Sequence, residues 1–460
     1  MKKKLLASLL IVIMSVFTLA GCGNKSDDSN DSSANNNSKT STNNNNGETS
    51  TNNDENEKVT ITIMDAYAPE DPHGQYVYEY AEAFMKENPN ITVEIQAISS
   101  NDIYTKVAAM ASSKGELPTM FWTSADQIPT LFDLGVTADL NEILDEETLN
   151  GLANGVQESC ILDGEMTYYP VAVAPVAVIY RKDRFEEEGL EVPTTWEEFI
   201  DSAKKLTKDT DGDGVADQWG FSMVGSNNSS GQSRFMAYLW SNGFDLVKKD
   251  DNGKWVTDIS LESDFAKAFS TWTDMNNVHN IVPTGITEVD YSVASTYFAM
   301  GYTSMFLSGS NALGVAYSNN PELEGKLGSF KLPGIAPGSM LSGEGYVISD
   351  SATDAQKEAA AKYLKFFVSN DKDLKFWQSS GKIPATTKGQ EAEYISGDDY
   401  AGYLQQIADG CRSTSIFPGI SGLKSALGDA YSAVFSNEKT NEEAIESLQK
   451  EVNNLLEDYN

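Results

Sequence analysis

Histidine and cysteine are almost missing from this chain: two of the first and three of the second in 460 residues. His73 and His279 stand far apart with no metal-ligand spacing around them, which argues against a zinc or histidine-based catalytic centre. No Gly-x-Ser-x-Gly elbow, P-loop or dinucleotide fingerprint occurs either. Basic residues are also scarce, 33 against 68 acidic ones for a formal charge of −35. Nothing here would neutralise a phosphate backbone, so nucleic acid is excluded as a partner. A soluble acidic surface accounts for the imbalance. Long apolar runs are confined to Leu5–Ala20; the next candidate, Val171–Tyr180, is short, interrupted by Pro175, and reads as buried strand. Cys160 and Cys411 either pair in an oxidising compartment or remain buried thiols, the default for two distant cysteines.

The N-terminus is the first positive signal. Lys2, Lys3 and Lys4 precede the apolar run, which ends in Leu19-Ala20-Gly21-Cys22. Basic head, apolar stretch and small-residue cleavage site make a secretory signal over 1–21, and the run falls short of the roughly 20 residues a span requires. Leu-Ala-Gly-Cys resembles the bacterial lipobox. That likeness implies acylation of Cys22, cleavage before it, and a lipid-anchored protein on the extracellular face of a Gram-positive cell membrane. Residues 22–57 are then an Asn/Ser/Thr-rich linker, as in Thr42–Thr51, too polar to bury a core and suited to holding a folded body off the membrane.

The body, 58–460, is too long for one core and suits two lobes. Val59–Met64 alternates as a strand, Tyr76–Asn88 has helical spacing, and Ile91–Ile98 alternates again. Asp102–Ser113 reads as a helix and Thr119–Trp122 as a short buried strand. This order predicts a parallel sheet, with ligands at the carboxyl ends of its strands. Tyr168–Tyr180 reads as strand, Thr195–Leu206 as a helix starting at Thr194 or Thr195, and Asn441–Leu456 as an amphipathic helix, apolar at Ala444, Ile445, Leu448, Val452 and Leu455.

Several segments together resemble the sugar-binding solute receptors of ABC importers, the group similar to maltose-binding protein. They are Tyr169-Pro170-Val171, Val178–Asp183, Phe185, Gly189-Leu190 and Val192–Phe199 (VPTTWEEF), with Arg181 where the family has Asn. Leu117–Trp122 (LPTMFW), Gly301–Met305 leading to Gly309, and Lys382–Ala385 (KIPA) extend the likeness over the whole body. The resemblance implies an α/β, two-lobed periplasmic-binding-protein-like fold, each lobe a mainly parallel sheet flanked by helices. Lobe 1 is expected over about 58–172 and 338–388, lobe 2 over about 173–337 and 389–460. Crossings are expected near 171–176, 332–345 and 384–394. It further implies a monomer that captures a carbohydrate, above all an oligosaccharide, by hinge closure and delivers it to membrane permease subunits, without catalysis or an organic cofactor.

A sugar offers hydroxyls and apolar C–H faces, so its receptor needs carboxylates, amides and aromatic platforms. Strand-end loops supply Asp65, Tyr67 and Glu70 after the first strand, and Trp122 with Asp126 after the third. Gly309-Ser310-Asn311 matches a family Gly-x-Trp position, with Asn311 in place of Trp. Another aromatic must then serve; Tyr346, beside Glu344 at a crossing, leads Trp240, Trp377 and Phe417, and Trp240 also fits a packing role. Arg234 and Arg412 are expected either to grip an acidic group or hydroxyls, or to be solvated surface residues. Acidic loops with aromatics favour neutral sugars.

Asp209–Asp217 (DTDGDGVAD) resembles an EF-hand loop, with Asp209, Asp211, Asp213, Val215 and Asp217 at ligand positions and Gly220 where a bidentate Glu is expected. A structural calcium ion is one reading, a metal-free acidic turn the other. Rival functions are a secreted glycoside hydrolase using paired carboxylates, a binding protein for peptides or polyamines, and an adhesin on a stalk.

Overall fold

In the computed structural model, residues 58–71, 74–339, 341, 343–369, 371–412 and 417–460 are described, within one unit that begins at Asn56. Cys22, the linker and His73 lie outside them. Ten strands build two sheets: β1 Val59–Asp65, β2 Ile91–Ala97, β3 Met120–Ser124, β4 Tyr169–Val173, β5 Ala177–Arg181, β6 Trp219–Ser222, β7 Thr303–Ser308, β8 Leu327–Phe330, β9 Gly343–Ile348 and β10 Ile383–Pro384. The first sheet runs β10-β4-β9-β3-β1-β2 and the second β8-β5-β7-β6.

The alternating first strand pairs in parallel with β2 (Asp65↔Ala97) and with β3 (Ile63↔Met120), as the strand-helix-strand order requires. The expectation of mainly parallel sheets needs correction at the lobe junction. There β9 lies antiparallel to β3 and β4, and β10 antiparallel to β4. In the second sheet β6 and β7 are parallel, whereas β5 is antiparallel to β7 and β8. Strands that return from the other lobe re-enter without a helical crossover, so they are free to pair antiparallel.

The single strand-like run Tyr168–Tyr180 is in fact two strands. Pro175 cannot donate to a ladder, and the chain leaves the first sheet at Val173 and enters the second at Ala177. It returns between Phe330 and Gly343, and departs again after Pro384. At the bulge between Glu344 and Gly345, a Cβ on Gly345 would sit 2.0 Å from the Tyr169 carbonyl oxygen, so only glycine fits that close pairing.

Helix signals placed the flanking layers. Thr195 and Glu198 form a capping box for the helix Trp196–Leu206, which buries Trp196, Phe199, Ile200, Ala203 and Leu206. The last helix, Asn441–Glu457, is capped by Thr440 and Glu443 and buries Ala444, Ile445, Leu448, Val452 and Leu456, Leu455 being only half-buried. Each fully buried aliphatic or aromatic side chain contributes about 1.5–3 kcal/mol, so such stripes fix the helices to their sheets. Phe199, Phe221, Phe235, Tyr238 and Trp272 form an aromatic core under the second sheet. Cys160 is buried, Cys411 half-buried, and neither is bridged. Among the described residues no helix is long and apolar enough to cross a membrane.

Candidate functional site

The three inter-sheet connections meet because their strands are neighbours. Val173 ends β4 opposite Gly343, the first residue of β9, and also opposite Ile383, the first of β10. The carboxyl ends of β1 and β3 open onto the same region, since Glu344 of β9 lies opposite Ser124 of β3.

On the six-stranded lobe, Tyr67 donates its hydroxyl to Glu344 Oε1 at 2.7 Å, Lys382 Nζ donates to the Tyr67 oxygen at 3.1 Å, and Lys382 also pairs with Glu344. Phe376 meets the Tyr67 ring edge-on at 5.2 Å and holds it upright. Beneath it Asp65, fully buried, accepts the Tyr346 hydroxyl at 2.6 Å and the Tyr67 N–H at 3.0 Å. Burial raises the Asp65 carboxyl to about 6; those two hydrogen bonds oppose the rise and the Glu344 charge adds to it.

Beside this network a cavity of about 160 Å³ is lined by Tyr104, Trp122, Ser124, Asp126 and Gln127, among others. Trp122 is half-buried, and its indole N–H has no hydrogen-bond partner within the protein. Asp126 is exposed and accepts from Ser124 Oγ at 2.5 Å and from Gln127 Nε2 at 2.9 Å. Lys424, on the helix Ile420–Phe435 that packs with the other lobe's helices, feels Asp126 as its favourable charge, while burial lowers its affinity for the proton.

The four-stranded lobe contributes a second polar cluster. Arg234 Nε donates to the Leu307 carbonyl and Nη1 to the Ser230 carbonyl, both at 2.9 Å, and its guanidinium stacks 4.6 Å from the Tyr291 ring centre. The Tyr291 hydroxyl contacts Ser308 Oγ at 3.1 Å and accepts from Asn311 Nδ2 at 3.1 Å. The two clusters adjoin: a Cβ built on Gly381, next to Lys382, would stand 3.8 Å from Asn311 Cα and 3.9 Å from the Ser310 carbonyl oxygen.

Of the residues expected from sequence, Tyr67, Glu344, Trp122, Asp126, Arg234 and Asn311 therefore gather around this junction, Tyr67 half-buried and Asn311 exposed. Asp65 and Tyr346 require correction, being 0% and 2% exposed and satisfying each other, so they support Tyr67 from below and present no surface to a ligand. Tyr346 as a stacking platform fails for the same reason, its ring lying against Phe367. Trp377 and Phe417 are buried as well. Trp240 is 5% exposed and takes the packing role; Arg412, ion-paired with Asp245 and 6.0 Å above the Trp240 ring, is neither free nor fully solvated. Glu70 is exposed on its loop, and Ser310 is fully buried. Tyr104, Tyr291, Lys382 and Lys424 were missed. Lys382 stands in the KIPA match and was legible there as motif only; the other three carry no local signal.

Away from the junction, carboxylate oxygens of Asp209, Asp211 and Asp217 lie within 4.8 Å of one another. Asp213 is outside that group and accepts the Val215 N–H at 2.8 Å. Gly214, at the sixth loop position, has φ +94°, the left-handed turn such loops need.

Comparison with known proteins agrees with this architecture. Residues 79–401 match a family described as bacterial extracellular solute-binding protein. The diacetylchitobiose binding protein DasA of Streptomyces coelicolor is 26% identical over 389 residues, 84% of this chain and 82% of that protein. The sugar-binding protein MalE of Xanthomonas citri superposes with a TM-score of 0.73 at 20% identity, covering 87% of this chain and 98% of that one. The cyclic α-maltosyl-1,6-maltose binding protein of Arthrobacter globiformis gives 0.70 at 20% identity over 87% of this chain and all of its own.

The Asp65 carboxyl yields a testable pH dependence. Raised from 3.8 to about 6, it binds its proton more tightly in the folded state. Stability from this group is therefore full below pH 3.8 and lost as pH rises through about 6. At about 1.4 kcal/mol per pH unit the loss is about 3 kcal/mol. Asp65→Asn removes it, so urea midpoints between pH 4 and 7 fall more for wild type than for the variant; parallel curves would refute the assignment.

Proposed function

The chain belongs to the bacterial extracellular solute-binding proteins, and on that footing we propose that it captures a carbohydrate, an oligosaccharide in particular, between its lobes and delivers it to an ABC-transporter permease. The observation that carries this reading is the meeting of hydrogen-bonding groups and aromatic rings from both lobes at the three crossings: Tyr67, Glu344 and Trp122 from one, Arg234, Tyr291 and Asn311 from the other. Partly open rings of Trp122 and Tyr67 suit the C–H faces of a pyranose, and the carboxylates and amide suit its hydroxyls. The names of DasA and of the Xanthomonas and Arthrobacter proteins, which specify diacetylchitobiose, sugar and a cyclic maltosyl-maltose, point the same way.

Capture works by population shift. A ligand touching both lobes has more contacts in the closed form and displaces the hinge equilibrium toward it by its differential affinity. No step breaks a covalent bond, in keeping with a family of binding proteins.

A panel of oligosaccharides tests the substrate class. One of them saturates the protein at one equivalent, raises its melting temperature by mass action (about 2.7 kcal/mol at one hundred times Kd) and is recovered unchanged. Trp122→Ala weakens it at least about tenfold, a loss of about 1.4 kcal/mol. Peptides or polyamines shifting the melting temperature while sugars do not would sink the carbohydrate reading.

Two finer features belong to the same proposal. Cys22, preceded by Leu19-Ala20-Gly21, supports a lipid anchor that keeps a monomeric receptor near its permease. On expression in a Gram-positive host, wild type fractionates with membranes and Cys22→Ala with the medium; equal partition would exclude the anchor. The carboxylates of Asp209, Asp211 and Asp217 support a structural calcium ion on the loop before β6. Millimolar Ca²⁺ then raises the melting temperature of wild type but not of Asp211→Asn, and an unchanged wild-type curve would leave an acidic turn.

A further inference from the structure

Arg234 is a cation without a counter-charge, in a protein whose acidic residues outnumber its basic ones two to one. Its Nε and Nη1 are spent on the backbone carbonyls of Leu307 and Ser230, and neither acceptor carries charge. Among the described residues Nη2 has no hydrogen-bond acceptor and no carboxylate lies within 4.0 Å of the guanidinium. Burial lowers its proton affinity to about 10, and the phenols of Tyr291 and Tyr403 oppose that shift. Arg234 is half-buried, and a partly desolvated charge left unpaired carries a cost that a counter-charge relieves. Among the described residues Ser310 Oγ, just past β7, and the Tyr403 hydroxyl, on the helix Asp398–Ala408, are also fully buried without hydrogen-bond partners.

The acids of the opposite lobe do not offset this charge. Asp65 is buried under Tyr346, Glu344 is ion-paired with Lys382, and Asp126 is exposed and occupied by Ser124 and Gln127. Those acids favour neutral sugars only on formal count. The net charge of −35 does not decide the matter either, because charges beyond about 8 Å are largely screened at physiological salt.

We propose that the captured carbohydrate carries a carboxylate, as a uronic acid residue does, and that Arg234 receives it through Nη2 with the exposed Asn311 amide beside it. One guanidinium among neutral donors matches a monoanion; a phosphate or sulfated chain would call for a cluster of cations. The inference rests on the carbohydrate reading above and narrows its substrate class.

Oligomers of galacturonate, of mannuronate and of glucuronate alternating with N-acetylglucosamine, each as free acid and as methyl ester, test it by calorimetry on the intact protein beside neutral maltotriose and diacetylchitobiose. The expected result is that one free acid binds at least about tenfold tighter than its own ester. Its affinity should fall between 0.05 and 0.5 M salt while ester affinity holds. Arg234→Gln should cost the acid about 10- to 100-fold and bring the acid–ester affinity ratio toward one, with Arg234→Lys in between. The wild-type acid–ester comparison needs no variant, so a folding defect in Arg234→Gln does not blunt the test. Neutral sugars binding as tightly as every free acid would overturn the inference and leave the carbohydrate reading standing. Failure of all saccharides, acidic and neutral, would overturn both.

Discussion

Everything at the junction depends on one piece of register: Val173 lies opposite both Gly343 and Ile383. A strand has two edges, and here β4 gives one to the strand that begins after the second crossing and the other to the strand that precedes the third. The three connections are thereby held side by side by main-chain hydrogen bonds, although they are far apart in sequence. Where β4 stops, Pro175 prevents the ladder from continuing, and the Val176 N–H is instead donated to Ser339 Oγ of the second crossing at 2.7 Å.

The polar network grows from the same junction. Glu344 is the second residue of β9 and Lys382 directly precedes β10, so the register that aligns the crossings also brings the two side chains together. Tyr67, leaving the carboxyl end of β1, then finds both within hydrogen-bond reach. Asp65 and Tyr346 act one layer below, a buried carboxyl and phenol that fix where Tyr67 stands. On the opposite lobe Arg234 is tethered to the end of β7 through the Leu307 carbonyl, while Asn311, just past that strand, reaches Tyr291. Tyr67 and Asn311 thus leave strand ends, as expected for open α/β sheets, whereas Arg234 and Tyr291 stand on helices beside β7.

Much of the fold was legible because its signals are local. Alternation gave β1 and β2 within a residue or two, and the threonine start at 194–195 and the apolar stripe of 441–456 located two helices. Candidate site residues were legible wherever a strand end could be read, as for Tyr67, Trp122 and Asp126. The division of Val171–Tyr180 was not legible from its apolar pattern, which does not mark the sheet each half joins; only the family resemblance, with its crossing near 171–176, pointed to it. Tyr346 misled for a related reason: its place at a crossing was readable, but strand alternation does not say which face is the core.

By itself, then, the sequence determined an α/β body long enough for two lobes and the strand-end loops that carry candidate residues, because each rests on length, periodicity or spacing along the chain. Only the tertiary structure decided which polar groups meet. Lys382 is 315 residues from Tyr67, and their contact exists only because β10 joins the same sheet as β1. The same holds for charge: on formal count the site looked acidic, and folding buried Asp65 and ion-paired Glu344 while leaving Arg234 with neutral partners, since pairing depends on distance in space and burial on the whole packed body.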